Sequence, residues 1–370
     1  MKVTVIGPVF PYRGGISNFT TSLAKELVNA GHEIQVISFS RQYPKMLYPG
    51  QSDKDPSLEH EQVPAHFILD PIYPWTWIKA IQQILKFQPE VVMIQWWTTF
   101  WAPAFILISS ALRKQKRACV YIIHNVLPHK QRLPDRWFAR LALSQAKACI
   151  TLSPKEEARL KQLLPSVVIL PSRLPVPKVN RAALDRGSAR QKLGLSAEQP
   201  VLIFFGLIRH YKGLSVLLDA IGRLKGTAIQ PFLLVVGEFW DDASIYQQQI
   251  ERLRIESQVK IINRFVPNEE LCGYIGAADA MAAPYLNGTQ SAAVKTAMGY
   301  GLPILASDQI SSDLPLDSHP IFVHKAGDDQ DLANSIATFF TQNHTSRVFT
   351  PMQDGWLDLI STIAQTTEIG

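Results

Sequence analysis

Arg209 and Lys212 stand three residues apart in GLIRHYKG, between an apolar run ending at Phe205 and a helix-like run starting at Leu214. In a strand-to-helix loop, two cations at that spacing can converge on one diphosphate. Solvated surface charge is the alternative, but Gly206, Gly213 and the strand-tip position favour a ligand. A second anion site is offered by PYLNGTQSAAVKTAMGYGLPILASD, Pro284 to Asp308. Its small polar run, Asn287 to Ser291, leads into a helix from Ala292 to Tyr300 with Ser291 as N-cap, and Gly301 stops it. Such a helix start presents free N–H groups and a positive dipole end to a phosphate. An ordinary αβ unit of a parallel sheet would read the same way.

Three further groups invite chemistry. His124 and Asn125 follow the apolar run Ala118 to Ile123, and a histidine at a strand tip either meets a ligand or bonds a neighbouring carbonyl. Gly14 and Gly15, in the first strand-to-helix loop, either bring backbone N–H groups close to a phosphate or form a structural turn. Trp96, Trp97 and Trp101 follow the strand Glu90 to Ile94, where open α/β sheets bind ligands. Their faces can hold a sugar ring or a lipid-linked substrate, or simply pack. Asp53 and Asp55 form a DxD look-alike among Pro, Gly and Ser, which reads as solvated loop rather than metal site.

The elements that must position these groups alternate. Val3 to Ile6, Glu33 to Ser38, Glu90 to Ile94, Ala118 to Ile123, Ala148 to Leu152 and Val167 to Leu170 read as strands. Helices are expected at Ile16 to Ala30, Trp77 to Phe87, Phe100 to Leu112 (buried rather than membrane-inserted), Arg136 to Lys147 and Pro154 to Leu164. PSRLPVP, Pro171 to Pro177, reads as a linker. A second series follows: strand Pro200 to Phe205, helix Leu214 to Leu224, strand Phe232 to Val236 ending in Gly237, strand Lys260 to Asn263, helix Asn268 to Ala277, strands Ala280 to Pro284 and Leu302 to Ala306. Near the end, Val348 to Gly370 is expected to hold a helix with Trp356, Leu357 and Ile360 on one face. Arg41 to Ser57 reads as a long loop rich in Pro, Tyr and charge.

With 370 residues, 46% of them apolar, two domains are the natural expectation. Cys119, Cys149 and Cys272 are widely spaced, without a CxxC, which argues against a disulfide framework or zinc site and suits a reducing compartment. No apolar run reaches the roughly 20 residues of a membrane span, and the N-terminus turns polar too soon for a signal peptide. A cytoplasmic protein is expected. Residues 1 to 180 carry 22 Lys and Arg against 11 Asp and Glu, a balance of +11; residues 181 to 370 carry 15 against 20, a balance of −5. The basic half suits an anionic membrane face or ligand. Aromatic and basic residues are not interleaved as in RNA-binding proteins, so nucleic acid is not expected.

In order and separation, the pieces GGI (Gly14, Gly15, Ile16), HN (His124, Asn125), FFGLIRHYKG, LLVVGE, RFVPNEEL before ADAMAAPYL, and AMGYGLPILASD resemble the retaining family 4 glycosyltransferases of GT-B fold. The resemblance covers nearly the whole chain. It implies two Rossmann-like α/β domains facing across a cleft: residues 1–172 for the acceptor, 173–350 for a nucleotide-sugar donor, and a terminal helix in 351–370 packing back on the first. It also implies that Arg209 and Lys212 grip the donor diphosphate, that Gly14 and Gly15 approach it, and that His124 touches the transferred sugar. Gly206, Gly237, Val266, Pro267, Thr289, Gln290, Ser291 and Thr296 would complete the donor site, Val266 and Pro267 near the base. Asn125, Trp96 and Trp97 would face the acceptor. No metal or other cofactor is expected. The family's paired glutamates are missing: Gly288 and Thr296 occupy their places, and a threonine is only a short, neutral acceptor. The implied function is transfer of a hexose to a glycan or lipid-linked acceptor in surface polysaccharide or glycolipid synthesis, at the cytoplasmic membrane face. A non-catalytic GT-B partner subunit is the alternative. The absence of the GxGxxG fingerprint argues against an NAD enzyme.

Overall fold

The computed structural model describes residues 1–44, 50, 52–58, 62–128, 132–179, 185–342 and 355–369. The chain forms two compact units, one of Met1–Pro56, His60–Pro175 and Asp354–Gly370, the other of Ser57–Glu59 and Val176–Gln353.

In the first unit, β1 (Lys2–Ile6), α1 (Gly15–Asn29), β2 (Glu33–Phe39), β3 (His66–Leu69), α2 (Trp75–Phe87) and β4 (Val91–Trp96) are followed by α3 (Ala102–Lys114), β5 (Ala118–Ile123), α4 (Leu133–Leu143), β6 (Ala148–Thr151), α5 (Pro154–Leu163) and β7 (Ile169–Pro171). The strands pair in parallel in the order β3-β2-β1-β4-β5-β6-β7. Runs such as VVMIQW and ACVYII are apolar without alternation because a parallel sheet is covered on both faces. Ile84, Phe105, Ile108 and Leu143 bring α2, α3 and α4 onto one face, and Leu23 and Leu27 bring α1 onto the other.

The second unit runs α6 (Arg186–Leu193), β8 (Val201–Phe205), α7 (Leu214–Leu224), β9 (Phe232–Val236), α8 (Ala243–Leu253), β10 (Val259–Ile262) and α9 (Asn268–Ala277). It continues with β11 (Ala280–Ala283), α10 (Ala292–Gly299), β12 (Ile304–Ser307), the short α11 (Asp308–Ser311), β13 (Ile321–His324) and α12 (Asp329–Thr341). Its sheet is again parallel, in the order β10-β9-β8-β11-β12-β13. The last helix, α13 (Trp356–Glu368), belongs to the first unit, where Trp356 stacks on Phe19 at 5.7 Å.

Several elements differ from the sequence reading for identifiable reasons. β3 gave no signal because it is a short edge strand with two exposed residues of four. α4 begins three residues early: Pro134 fits a first helical turn, and the Asp135 side chain accepts from the Arg132 N–H in a capping box. α6 is too polar to show periodicity. It is held instead by buried Arg190, whose guanidinium meets Asp279 at 2.9 Å and also donates to three carbonyls of the 196–199 turn. On α13 the buried face runs through Trp356, Leu359 and Ile363, while Leu357 is 79% exposed. Positions i, i+3 and i+7 share a helix face and i+1 does not. The start of that expected stretch, 348–354, lies outside the described residues, as does the domain boundary expected at 350. So do 45–49 and 51 of the Arg41 to Ser57 loop.

Candidate functional site

In an open parallel sheet, ligands bind beyond the carboxyl ends of the strands where the strand order reverses. In the second sheet that point lies between β8 and β11. The loop after β8 carries Gly206, Arg209 and Lys212; the loop after β11 runs from Pro284 to Ser291. The two anion-binding stretches picked out from sequence are therefore the two walls of one switch point. They touch: Leu286 N–H donates to Tyr211 O at 2.8 Å, and the Tyr211 and Tyr285 rings lie edge to face at 6.2 Å. Gly213 makes the approach possible, since at φ 75° a Cβ there would lie 1.9 Å from Pro284 O. Gly237, at the end of β9, likewise has no room for a side chain: a Cβ would lie 1.9 Å from Gly206 O.

Lys212 is buried, and its Nζ lies beside Gly206 and 5.7 Å from the Tyr285 ring centroid. Among the described residues it has no hydrogen-bond acceptor and no carboxylate partner. Burial, with Arg209 nearby, lowers its ammonium to about 8. Arg209 is half-buried, 5.5 Å from the Tyr211 ring and 5.7 Å from the Trp240 ring, also without a carboxylate partner among the described residues. Trp240 is itself tied down by Nε1, which donates to buried Glu238 at 3.2 Å. Two cations shelved on aromatic rings and left without an anion form a receptor for one. Tyr211, Trp240 and Tyr285 were not picked out from sequence; only the aromatic content of the loops hinted at them.

Across the switch point, the Ser291 hydroxyl caps α10 by accepting from Val294 N–H at 3.2 Å and also bonds the Tyr285 hydroxyl at 2.8 Å. Its capacity is thus largely spent on structure. Thr289 is buried, Gln290 and Thr296 are half-buried, and Gly288 is buried. Lys295, beside Thr296, is buried and donates to Asp313 O at 3.4 Å, a cation sequence reading overlooked. Val266 is buried in the core and Pro267 is the residue before α9, so this corner presents backbone and ring.

The first sheet reverses between β1 and β4. Gly14, at φ 107°, is the N-cap of α1, with open space where a Cβ would stand, and Gly15 is exposed at the helix start. α1 has no acidic residue in its first turn. The loop is pinned by the DxD segment through backbone bonds, Arg13 N–H to Asp53 O at 3.0 Å and Asp55 N–H to Pro11 O at 2.8 Å. His124 continues the β5 ladder, its N–H donating to Trp96 O at 2.8 Å. Its ring meets Phe19 edge-on at 5.0 Å, and Nε2 lies 2.7 Å from Gln95 Oε1. Burial lowers the imidazole to about 3. Asn125 is half-buried, and the next residue, Val126, donates its N–H to buried Glu156 at 2.5 Å.

Trp96 does not face an acceptor. It is the last residue of β4, fully buried, with Nε1 donating to Val126 O at 3.2 Å. Trp101 is buried too. Trp96 fills the core because the strand runs two residues further than its apolar run suggested, and Trp101, in the turn before α3, packs on Phe39 and Phe105. Trp97 is half-buried, its Nε1 donating to the Tyr43 hydroxyl at 2.7 Å.

Two family models match the chain: "Glycosyltransferase Family 4" over residues 13–171 and "Glycosyl transferases group 1" over residues 199–342. A Bacillus subtilis (strain 168) chain named for teichuronic acid biosynthesis, TuaC, is 23% identical over 216 residues, 58% of this chain. The match spans about half the length of that relative, 52%. Among solved structures, Anabaena Alr3699/HepE in complex with UDP and glucose is 20% identical, with TM-score 0.72 over 100% of this chain and 99% of that one. The catalytic domain of starch synthase IV from Arabidopsis thaliana, bound to ADP and acarbose, is 13% identical, with TM-score 0.73 over 99% and 98%. With two parallel-sheet Rossmann-like units, the fold is GT-B. The two family models together take in most of the chain, which belongs to the family 4, group 1 glycosyltransferases.

Proposed function

We propose that the protein transfers a hexose, with retention of anomeric configuration, from a nucleotide sugar to a glycan or lipid-linked acceptor in the synthesis of a surface polysaccharide or glycolipid. The observation that carries this reading is the pair Arg209 and Lys212 at the switch point of the second sheet, both without an anionic partner among the described residues. A nucleoside diphosphate fits their charge, and the complexes of Alr3699/HepE with UDP and of starch synthase IV with ADP lend support.

In this reading the second unit holds the donor and the first unit the acceptor. As the bond from the anomeric carbon to the diphosphate oxygen breaks, negative charge grows on that oxygen. Arg209, Lys212 and the N–H groups opening α10 meet it, already oriented and partly dry, so the barrier falls where charge develops. The acceptor hydroxyl then bonds the anomeric carbon on the face the phosphate leaves, and its proton passes to the departing phosphate. Neutral His124 serves as a hydrogen-bonding contact to the sugar rather than as an acid. With the leaving-group charge carried by side chains, no metal or other cofactor is called on.

The test is a panel of nucleotide sugars with purified protein, read as release of nucleoside diphosphate. Turnover with at least one donor is expected, and Lys212→Ala or Arg209→Ala should each lower it by about 100-fold. Wild-type turnover in either variant contradicts the role. One observation favours a second reading, a GT-B subunit that binds without turnover: Gly288 and Thr296 leave the donor sugar without the family's two carboxylates. Nucleotide binding with no turnover over the whole panel would select it.

A further inference from the structure

Three of the four helices covering one face of the first sheet, α2, α3 and α4, carry more on their outer sides than packing requires. α2 and α4 both pack against α3, and their inner sides supply the core. On their outer sides Trp75, Ile78, Leu107, Leu133 and Trp137 are 41 to 99% exposed, and Tyr73, stacked on Trp75 at 4.6 Å, is 40% exposed. Among these stand Lys79, Lys86, Arg113, Lys114, Arg136 and Arg140, all exposed. None of the six forms an ion pair among the described residues. The one carboxylate on the three helices, Asp135, is buried and spent on the Thr99 hydroxyl and the Arg132 N–H. The outer surface of this layer therefore presents cations and apolar rings and no exposed anion.

The aromatic residues cluster at one end of the helices, where Lys79 and Arg136 also lie, while the other end carries cations alone. Each helix follows its strand in a parallel sheet, so its N-terminal end lies at the edge where the strands finish, the edge that carries His124. Tyr73, Trp75, Leu133 and Trp137 lie just before or within the first turns of α2 and α4. Lys86, Arg113, Lys114 and Arg140 lie in the last turns of α2, α3 and α4. Tryptophan and tyrosine partition to the headgroup level of a bilayer, and basic residues are drawn to anionic lipid. Exposed apolar residues in such numbers mark a contact surface. A nucleic acid would use the cations but leave the apolar edge in water.

We propose that the outer surface of the α2, α3 and α4 layer docks on an anionic phospholipid membrane, with the Tyr73, Trp75 and Trp137 edge set into the headgroup region. The tryptophans picked out in sequence as a candidate platform for a sugar ring or lipid-linked substrate are different ones, and two of them, Trp96 and Trp101, are core. Such docking deepens the reading of a lipid-linked acceptor by setting the His124 end of the sheet at the lipid surface. The binding itself is read without donor or acceptor, so it can fail while glycosyl transfer stands, and the reverse.

The experiment is flotation of the full chain with vesicles of phosphatidylcholine alone or mixed with phosphatidylglycerol. Recovery with the mixed vesicles, little with the neutral ones, and release by salt are expected. Lys79→Glu with Arg136→Glu should weaken recovery about tenfold or more, and Trp75→Ser with Trp137→Ser should also weaken it, with unchanged thermal unfolding and nucleotide binding. If the first pair fails to fold, Lys86→Gln with Arg113→Gln tests the same charge. Equal recovery with neutral vesicles, no recovery with either, wild-type recovery of the variants, or retention on duplex DNA in place of vesicles would each overturn the proposal.

Discussion

At the scale of single residues, the site depends on two side chains whose protonation burial disfavours alike, leaving one still charged and the other neutral at pH 7. Lys212 is a buried cation waiting for an anion. Its ammonium titrates at about 8 in the free protein, so the charge that attracts the donor is present below that pH and lost above it. The ratio kcat/KM, which reports the free enzyme, should therefore fall about tenfold per pH unit above about 8. Lys212→Arg, which stays protonated, should remove the fall even if it lowers the plateau. A flat profile well above pH 8 in the wild type contradicts this. His124 is held neutral, its imidazole moved from 6.5 to about 3 by burial. The unfolded chain then binds a proton that the folded chain refuses, so its contribution to stability is full above pH 6.5 and is lost as the pH falls toward 3. At its steepest the loss is about 1.4 kcal/mol per pH unit. Urea unfolding at a series of pH values should show this slope in the wild type and a shallower one in His124→Gln; equal slopes would contradict it.

How far these residues were legible in the sequence follows from what burial is. Arg209 and Lys212 stood out because a strand tip, two glycines and a helix start bracket them within eight positions. That Arg209 is shelved on Trp240 and that Lys212 lies against Tyr285 come from the loops after β9 and β11, which no local pattern shows. His124 was visible as a strand-tip residue, but Gln95 became its partner only through the register that sets Gln95 opposite Ile122. Trp96 was misplaced for the converse reason. A tryptophan ending a buried strand looks the same in sequence as one in the loop beyond.

At the scale of elements, the second switch point is a matter of two loops drawn to van der Waals distance by missing side chains. Gly213→Ala adds to the left-handed strain, about 1 kcal/mol, a Cβ placed 1.9 Å from Pro284 O, so the loop that carries Tyr285 must retreat. Gly226→Ala is the matched control, with similar φ of 76° and nothing nearby. Gly213→Ala should lower the unfolding midpoint clearly more than Gly226→Ala and should weaken nucleotide binding, which Gly226→Ala should leave intact. Equal effects in calorimetry and titration would show that the two loops are not coupled. Elements with a clear apolar stripe, α1 and α7, and the unbroken apolar strands β5, β8 and β9 were read nearly to the residue. Those stabilised by polar contacts were not: α6 rests on Arg190 and Asp279, and α4 starts at a capping box.

At the scale of the whole molecule, two parallel sheets each reverse their strand order once, and the groups with chemistry lie at those reversals. Gly14 and Gly15 border one, and Arg209, Lys212 and the Pro284 to Ser291 loop form the other. The doubly wound pattern was legible in the sequence because parallel strands are unbroken apolar runs. The face that α2 to α4 turn outward was not, since exposure of Trp75 or Trp137 depends on which helix side meets the sheet. Charge asymmetry between the halves pointed to a basic surface, and the structure locates part of it on that layer.

The most direct measurement is calorimetric titration of the protein with a panel of nucleotide sugars, paired with detection of released nucleoside diphosphate and of the anomeric configuration in the product. The arrangement of Arg209 and Lys212 predicts binding of at least one donor, its turnover with retention, and loss of both binding and turnover in Lys212→Ala. A protein that binds no nucleotide sugar and releases no nucleoside diphosphate, or whose Lys212→Ala variant does both as well as the wild type, would contradict it.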